Sequence, residues 1–290
     1  MTLIRYPNGS YQYKSPVFWT GQFSNVVHDG AIAKWLLNYF QKENITDVLL
    51  YIPCSDGDIT SSSLESYMKD ANSNNWTLIV GTVAQRFQDF PKFIFLPQDD
   101  GIFEHGLMHY FPANILPSWE QRKELVFWRG ACSADYKRGE LLRRDVVKTL
   151  IDYPYADVKL IELWHEDKPI PSHYFAPKAP ISIFLQYKYL LIIDGNGISS
   201  SHSWVFASGA VPIMITNNDF WFKKYLIPFE NYIPVKYDLS DLIEQLEWCR
   251  ANDDKAKQIA ENARRFAETV FSSDFQKSYL VSEIQRLRKR

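Results

Sequence analysis

Two kinds of turn in this sequence carry residues able to do chemistry. Asp56 and Asp58 lie in Pro53-Cys54-Ser55-Asp56-Gly57-Asp58, directly after the apolar run at 48–52; Asp99 and Asp100 follow a second such run at 93–96. A carboxylate just past the C-terminal end of a buried strand is where α/β folds place an acid or base. Asp-Gly pairs equally serve as turn residues that bond their own backbone. The second kind is Asp194-Gly195-Asn196-Gly197, with Ser199, Ser201 and His202 close behind. The run at 190–193 before it reads as a strand buried on both faces, and the serines cap a helix through Trp204 and Ala207. Strand, glycine turn and capped helix present backbone N–H groups and a positive helix end to one anion, for which a diphosphate is a natural guest. An ordinary βα turn has the same pattern.

A third group is cationic. Arg129 and Gly130 follow the apolar residues 125–128, and residues 129–133, ending at Ser133, read as a loop before a charged helix at 137–150 that includes Arg138. A guanidinium fork holds two phosphate oxygens, and a neighbouring glycine lets backbone come close. An ion pair between lobes is the competing reading of Arg129. His105 and His109 stand four apart, a spacing that suits metal on one helical face, but a third ligand is missing nearby and no metal site is expected.

The elements that would position these groups alternate. A helix at 31–40 gathers Ile32, Trp35, Leu36, Tyr39 and Phe40 on one face. Strands follow at 48–52, 78–81 and 93–96, with a polar surface helix at 61–74 between the first two. Residues 1–25 show no regular period, and 112–117 reads as a crossing between halves. The second half holds the strand from 125, the βαβ unit at 187–215 and two amphipathic helices. The first, at 238–248, has Asp238 as N-cap and Leu239, Leu242, Ile243 and Leu246 as its buried stripe. The second, at 253–271, turns Ala256, Ile259, Ala260, Ala263, Ala267 and Val270 inward. Strands and helices alternating in two blocks predict an α/β protein of two Rossmann-like lobes, 1–117 and 118–272, with a final helix at 273–290.

The bulk properties exclude several classes. At 290 residues the chain buries a sizeable core, and a net charge of −2 gives no basic field for nucleic acid. The three cysteines, Cys54, Cys132 and Cys249, are too few and scattered for a disulfide framework or zinc site. No apolar run is long enough for a membrane span, and a cytoplasmic location is the expectation. The aromatic fraction, 16%, suits a core or the stacking of sugar rings.

Three segments in register carry a resemblance. Lys188-Tyr189-Leu190 leading into Asp194-Gly195-Asn196-Gly197, then Ala207-Ser208-Gly209-Ala210-Val211, resembles the family 90 glycosyltransferases. These are capsule-associated and lipopolysaccharide-modifying enzymes related to protein O-glucosyl- and O-xylosyltransferases. Val126-Phe127-Trp128-Arg129-Gly130 is similar to the family's aromatic-Arg-Gly motif. Tyr232-Ile233-Pro234-Val235 with Asp238-Leu239-Ser240-Asp241-Leu242 is similar to its closing segment. The resemblance implies a GT-B-type arrangement, with the nucleotide held by the C-terminal lobe, the acceptor by the N-terminal lobe, and the last helix crossing back to the first lobe. It further implies inverting transfer of a sugar, xylose or glucose favoured, from a UDP-sugar co-substrate to a hydroxyl of a glycan or glycoprotein, without cofactor or metal.

The residue roles follow from the same resemblance. Asp56 stands about where the family's catalytic aspartate follows its strand; the alignment needs a short gap, so Asp58 competes, with Asp99 or Asp100 third. Arg129 and Gly130 are expected at the leaving diphosphate. The family's next phosphate-binding arginine meets Cys132 here, so Arg138 stands in. A further family arginine is replaced by Ser201-His202, which shifts phosphate binding to the backbone at 195–201, Ser199 and His202. Asp194 holds the loop or a donor hydroxyl. That departure keeps open a catalytically dead carbohydrate- or nucleotide-binding protein, and a two-carboxylate glycoside hydrolase using Asp56 or Asp58 with Glu104 is a third possibility. The C-terminus lacks a retention signal, which points to a bacterial or viral type of enzyme, a xylosyltransferase of a large DNA virus among them.

Overall fold

A computed structural model describes residues 2–5, 11–14, 31–45, 48–51, 77–82, 93–97, 100–132, 142–163, 170–195, 198–199 and 201–288. The chain forms two compact units. One comprises Met1–Gly106, Asp219–Trp221 and Ser272–Arg290; the other comprises Leu107–Asn218 and Phe222–Phe271.

The first unit is built on a mixed sheet in the order β2-β1-β3-β4-β5. β1 (Thr2–Arg5) pairs antiparallel with β2 (Tyr11–Lys14) and with β3 (Val48–Tyr51). β4 (Thr77–Thr82) and β5 (Phe93–Phe95) continue parallel to β3. The β1–β2 pair lies where the sequence shows no period: strands of four residues are too short for alternation to stand out. α1 (Ala31–Lys42) buries Ile32, Leu36 and Phe40, one per turn. Its Trp35 and Tyr39 stack with centroids 5.5 Å apart, and Trp35 meets Phe103 of α2 (Asp100–His105) edge-on. The C-terminal helix, Ser273–Arg288, belongs to this unit: the Tyr279 hydroxyl donates to the Phe95 carbonyl at 2.9 Å, and the Gln276 amide to that of Ile102 at 3.1 Å.

The second unit carries a fully parallel sheet in the order β10-β9-β8-β6-β7. Its strands are β6 (Lys123–Cys132), β7 (Ala156–Leu163), β8 (Tyr187–Ile193), β9 (Val211–Ile215) and β10 (Ile233–Pro234). All seven residues of β8 are buried, as a strand covered on both faces requires. Parallel neighbours need crossovers. α3 (Leu142–Leu150) joins β6 to β7 and buries Val146, Val147 and Leu150, each worth about 1.5–3 kcal/mol of burial. The single turn α4 (Ile181–Phe184) precedes β8, and α5 (Ser201–Ala207) joins β8 to β9.

After β10 come α6 (Leu242–Ala251) and α7 (Asp253–Val270). In α7 the buried residues are Ala256, Ile259, Ala260, Ala263, Ala267 and Val270, the predicted stripe. α6 starts four residues later than its sequence suggests. The Asp238 carboxylate accepts the Ser240 N–H at 3.0 Å, closing a local turn instead of capping a helix, and Leu239 takes φ 63°. The buried residues are consequently Leu242, Leu246 and Cys249, while Ile243 is 37% exposed. β6 is likewise longer than predicted, so residues 129–132 are strand and not loop. The α/β class expected from the sequence is what the two sheets form.

Candidate functional site

The second sheet fixes where a ligand would lie. β6 has the next strand in sequence, β7, on one side and β8 on the other, so the winding reverses between β6 and β8. In open parallel sheets the crevice outside the C-terminal ends of the strands flanking such a reversal is the binding position. Here those ends are Gly130–Cys132 of β6 and Ile193–Gly195 of β8 and its turn.

Asp194 governs this edge. It is 1% exposed. Its carboxylate accepts the Thr216 hydroxyl at 2.8 and 3.0 Å and the Asn217 N–H at 2.9 Å, both just past β9. His202, in the first turn of α5, brings Nε2 to 3.3 Å from the same carboxylate. Burial opposes the charged form. Hydrogen bonding and charge from His202, with the Asn217 N–H and Thr216, outweigh it and hold the Asp194 carboxyl below its ordinary pKa. On its other side, the His202 ring places Nδ1 3.1 Å from the Ser199 N–H, 3.2 Å from the Ser199 hydroxyl and 3.2 Å from the Ser199 carbonyl. Nδ1 thus meets both a donor and an acceptor of the Ser199 backbone, while Nε2 faces the carboxylate. Ser199 and Ser201, both half-buried, have their hydroxyl oxygens 2.5 Å apart.

A buried cation joins the two strand ends. Arg143 of α3 donates from Nε to the Asp194 carbonyl at 3.1 Å, from Nη2 to that of Ile193 at 3.2 Å, and from Nη1 to that of Ala131 at 3.1 Å. The β6–β7 register shifts between Gly130 and Cys132, where the Ala131 carbonyl meets this guanidinium. Burial lowers the Arg143 pKa to about 10 against the pull of Asp194 and Cys132, which leaves it charged at neutral pH. Its guanidinium carbon lies 5.7 Å from the Trp128 ring centroid. A Cβ on Gly130 would fall 2.3 Å from the Trp128 indole, so this glycine makes room for the ring that backs Arg143.

Arg129 is engaged in an ion pair within the second unit. Its guanidinium pairs with the Asp157 carboxylate near the start of β7, and donates to the Asp157 carbonyl at 2.8 Å and its own neighbour's, Trp128, at 2.9 Å. It lies over the Phe127 ring at 4.5 Å. Asp157 is register partner of Phe127, two residues before Arg129, so the side chain reaches back along the sheet and away from its C-terminal edge. In this arrangement Arg129 is a clasp between β6 and β7.

The segment Ala207-Ser208-Gly209-Ala210-Val211 ends α5 and delivers β9. The Ser208 hydroxyl donates to the Val205 carbonyl at 2.6 Å and accepts the Ala210 N–H at 3.1 Å. Gly209 sits at φ 75°, and a Cβ there would meet the Arg122 guanidinium at 2.8 Å. Arg122 and Arg264 donate to the Ser208 and Ala207 carbonyls at 2.8 and 2.7 Å, fastening a helix end that lacks intrahelical donors.

The structure therefore gathers Asp194, Gly195, Ser199, Ser201 and His202 at one edge and adds Arg143, which the sequence reading left as one of several helix charges. Asp56, Asp58, Asp99, Ser133, Arg138, Asn196 and Gly197 lie outside the described residues. Asp100 opens α2. His105 ends α2 and His109 lies in the following 3-10 turn, so their spacing is not that of one helical face. Among the described residues no group of three or more His, Cys, Asp or Glu is placed to hold a metal ion, and no helix is long and apolar enough to cross a membrane.

Parallel sheet and winding reversal define a doubly wound α/β domain. The family model described as glycosyl transferase family 90 matches residues 101–289, and the chain belongs to that family. It is 30% identical to protein 035R of Invertebrate iridescent virus 3, over 95% of this chain and 28% of that one. It is 28% identical to protein O-glucosyltransferase 1 of Rattus norvegicus, over 56% of this chain and 42% of that one. The chain thus spans less than half the length of either relative. Among solved structures, the pneumococcal O-GlcNAc transferase GtfA in complex with UDP and GlcNAc aligns with a TM-score of 0.48 at 12% identity, over 88% of this chain and 60% of that one.

Proposed function

We propose that this chain moves a sugar, glucose or xylose, from a UDP-sugar to a hydroxyl of a glycan or glycoprotein, with inversion at the anomeric carbon. The observation that supports this most strongly is the winding reversal between β6 and β8, whose C-terminal ends are held together by the buried Arg143 guanidinium and followed by the half-buried Ser199 and Ser201, in a family 90 chain. The name of the rat relative, protein O-glucosyltransferase 1, favours glucose and a protein acceptor.

In such a transfer a carboxylate takes the proton of the acceptor hydroxyl as its oxygen attacks C1. The C1–O bond to the diphosphate breaks, and negative charge gathers on the departing UDP. Asp56 is the first candidate for the base and Asp58 the second. On the leaving-group side Ser199, Ser201 and the Gly195 backbone would donate to phosphate oxygens. Arg143 would bias the edge towards anions without itself leaving its carbonyl partners, and Ser133 and Arg138 are candidates to complete the cradle.

The reading is tested by turnover and calorimetry together. Wild type should release UDP from UDP-glucose or UDP-xylose in the presence of acceptor. Asp56→Asn should slow transfer by about 10²–10⁴-fold while binding UDP within about twofold of wild type, because a general base acts on the acceptor and not on the nucleotide. Loss of activity in Asp58→Asn alone would move the base to that residue. A wild-type chain that neither binds UDP nor turns over any UDP-sugar would refute the proposal.

A further inference from the structure

Phe229 has φ 60°, in the left-handed region that glycine and asparagine enter cheaply and a bulky aromatic does not. Its side chain is nevertheless 48% exposed, beside the exposed Pro228 and Ile227. The loop that holds it is fixed by its own backbone. The buried Asn231 side chain accepts the Ile227 N–H at 3.1 Å, and the Ile227 carbonyl accepts the Glu230 and Asn231 N–H groups at 3.2 Å. The Phe229 N–H donates to the Tyr232 carbonyl at 2.8 Å, and Asn262 of α7 donates to that of Glu230 at 2.9 Å. Strain that its surroundings over-determine in this way is characteristic of ligand-holding segments. We propose that Phe229, backed by Trp248 and flanked by Glu230, is a carbohydrate-binding platform for a neutral oligosaccharide, separate from the transfer edge. The ligand class rests on the glycan-acceptor reading given above.

Position makes this a second site. β10 runs parallel to β9 with Ile233 opposite Ile213, and the loop at 227–232 enters it from its N-terminal end. The C-terminal ends of β6 and β8 lie at the opposite end of the same parallel sheet. Chemistry selects the guest. Trp248 of α6 is half-buried and meets the Phe229 ring at a steep angle, 71° between planes and 5.8 Å between centroids. The indole thus anchors the phenyl ring and leaves about half of that side chain open, an apolar surface suited to the C–H face of one sugar ring. The hydroxyls of such a sugar need acceptors close by. Glu230 supplies one: its carboxylate is exposed and, among the described residues, has no hydrogen-bond or ion-pair partner. The same carboxylate repels an anionic lipid headgroup. Ile227, Pro228 and Phe229 together fall well short of the ~800 Å² that each side of a stable protein interface covers. A saccharide needs neither a large area nor a charge.

The test is saturation-transfer NMR of the full chain with maltohexaose, cellohexaose and xylohexaose, alongside UDP calorimetry and melting temperatures. Wild type should bind at least one hexaose. Phe229→Asn suits the left-handed backbone and removes the ring, so it should weaken that binding by about 10-fold or more without lowering the melting temperature. Glu230→Gln keeps the shape and should weaken it about three- to tenfold, the scale of a charged hydrogen bond made neutral. Both variants should bind UDP within about twofold of wild type, because the donor edge lies at the other end of the sheet. Wild type that turns over UDP-sugars but binds none of the hexaoses would overturn this inference alone. So would Phe229→Asn binding them as well as wild type, and a melting temperature lowered by about 5 °C with binding intact would show a ring kept for packing. Self-association of wild type that Phe229→Asn abolishes would assign the surface to a second copy of the chain and overturn the platform too. Hexaose binding by a chain with no affinity for UDP would support the platform and refute the transfer reading instead.

Discussion

Asp194 holds three pieces of the second unit with one side chain and one carbonyl. The carboxylate ties β8 to the end of β9 through Thr216 and Asn217, and to α5 through His202; the carbonyl takes Arg143, which also holds β6. A buried charge so satisfied is stabilising only while its partners remain, because removal of either side leaves the other uncompensated. Its pKa is lowered by folding, so the stabilisation is complete above the unfolded value near 3.8 and drains away as pH falls through the lower, folded one. Asp194→Asn should therefore cost about 3 kcal/mol at pH 7 and flatten the acid limb of stability, followed by urea midpoints between about pH 2 and 6. An acid limb as steep in the variant as in wild type would assign that limb to other carboxylates.

At the level of elements, β6 carries two side chains with opposite duties. Arg129 reaches back to clasp β7 through Asp157, while Trp128, given room by Gly130, backs the Arg143 that closes the strand ends. Arg129→Ala should lower stability by about 1–2 kcal/mol, seen as a fall in melting temperature, with UDP affinity unchanged; a large loss of affinity at full stability would return Arg129 to the donor. Elements with a long, uniform signal were legible in the sequence: the continuous apolar run of β8, and α7 with six apolar residues at helical spacing. The start of α6 was not, because Asp238 and Asp241 offer the same capping chemistry, and only the backbone at Leu239 decides between a turn and a cap. Arg143 was not legible either. Its partners are carbonyls 12, 50 and 51 residues away, which no local pattern encodes. The passage from β8 into α5 was legible as a strand followed by a short helix. That His202 is buried behind the serines was not, since its exposure depends on β9.

At the scale of the whole molecule, the two units interleave in sequence: 219–221 and the C-terminal helix return to the first unit, and the second closes at Phe271. The family match at 101–289 takes in all of the second unit from Leu107 to Phe271, the part that carries the switch point. The most direct measurement is a crystal structure of the chain with UDP. We predict the diphosphate at the C-terminal ends of β6 and β8, within hydrogen-bonding distance of the Ser199 or Ser201 hydroxyl and with Arg143 still on its carbonyls. UDP bound elsewhere on the protein, with that edge left empty, would contradict it.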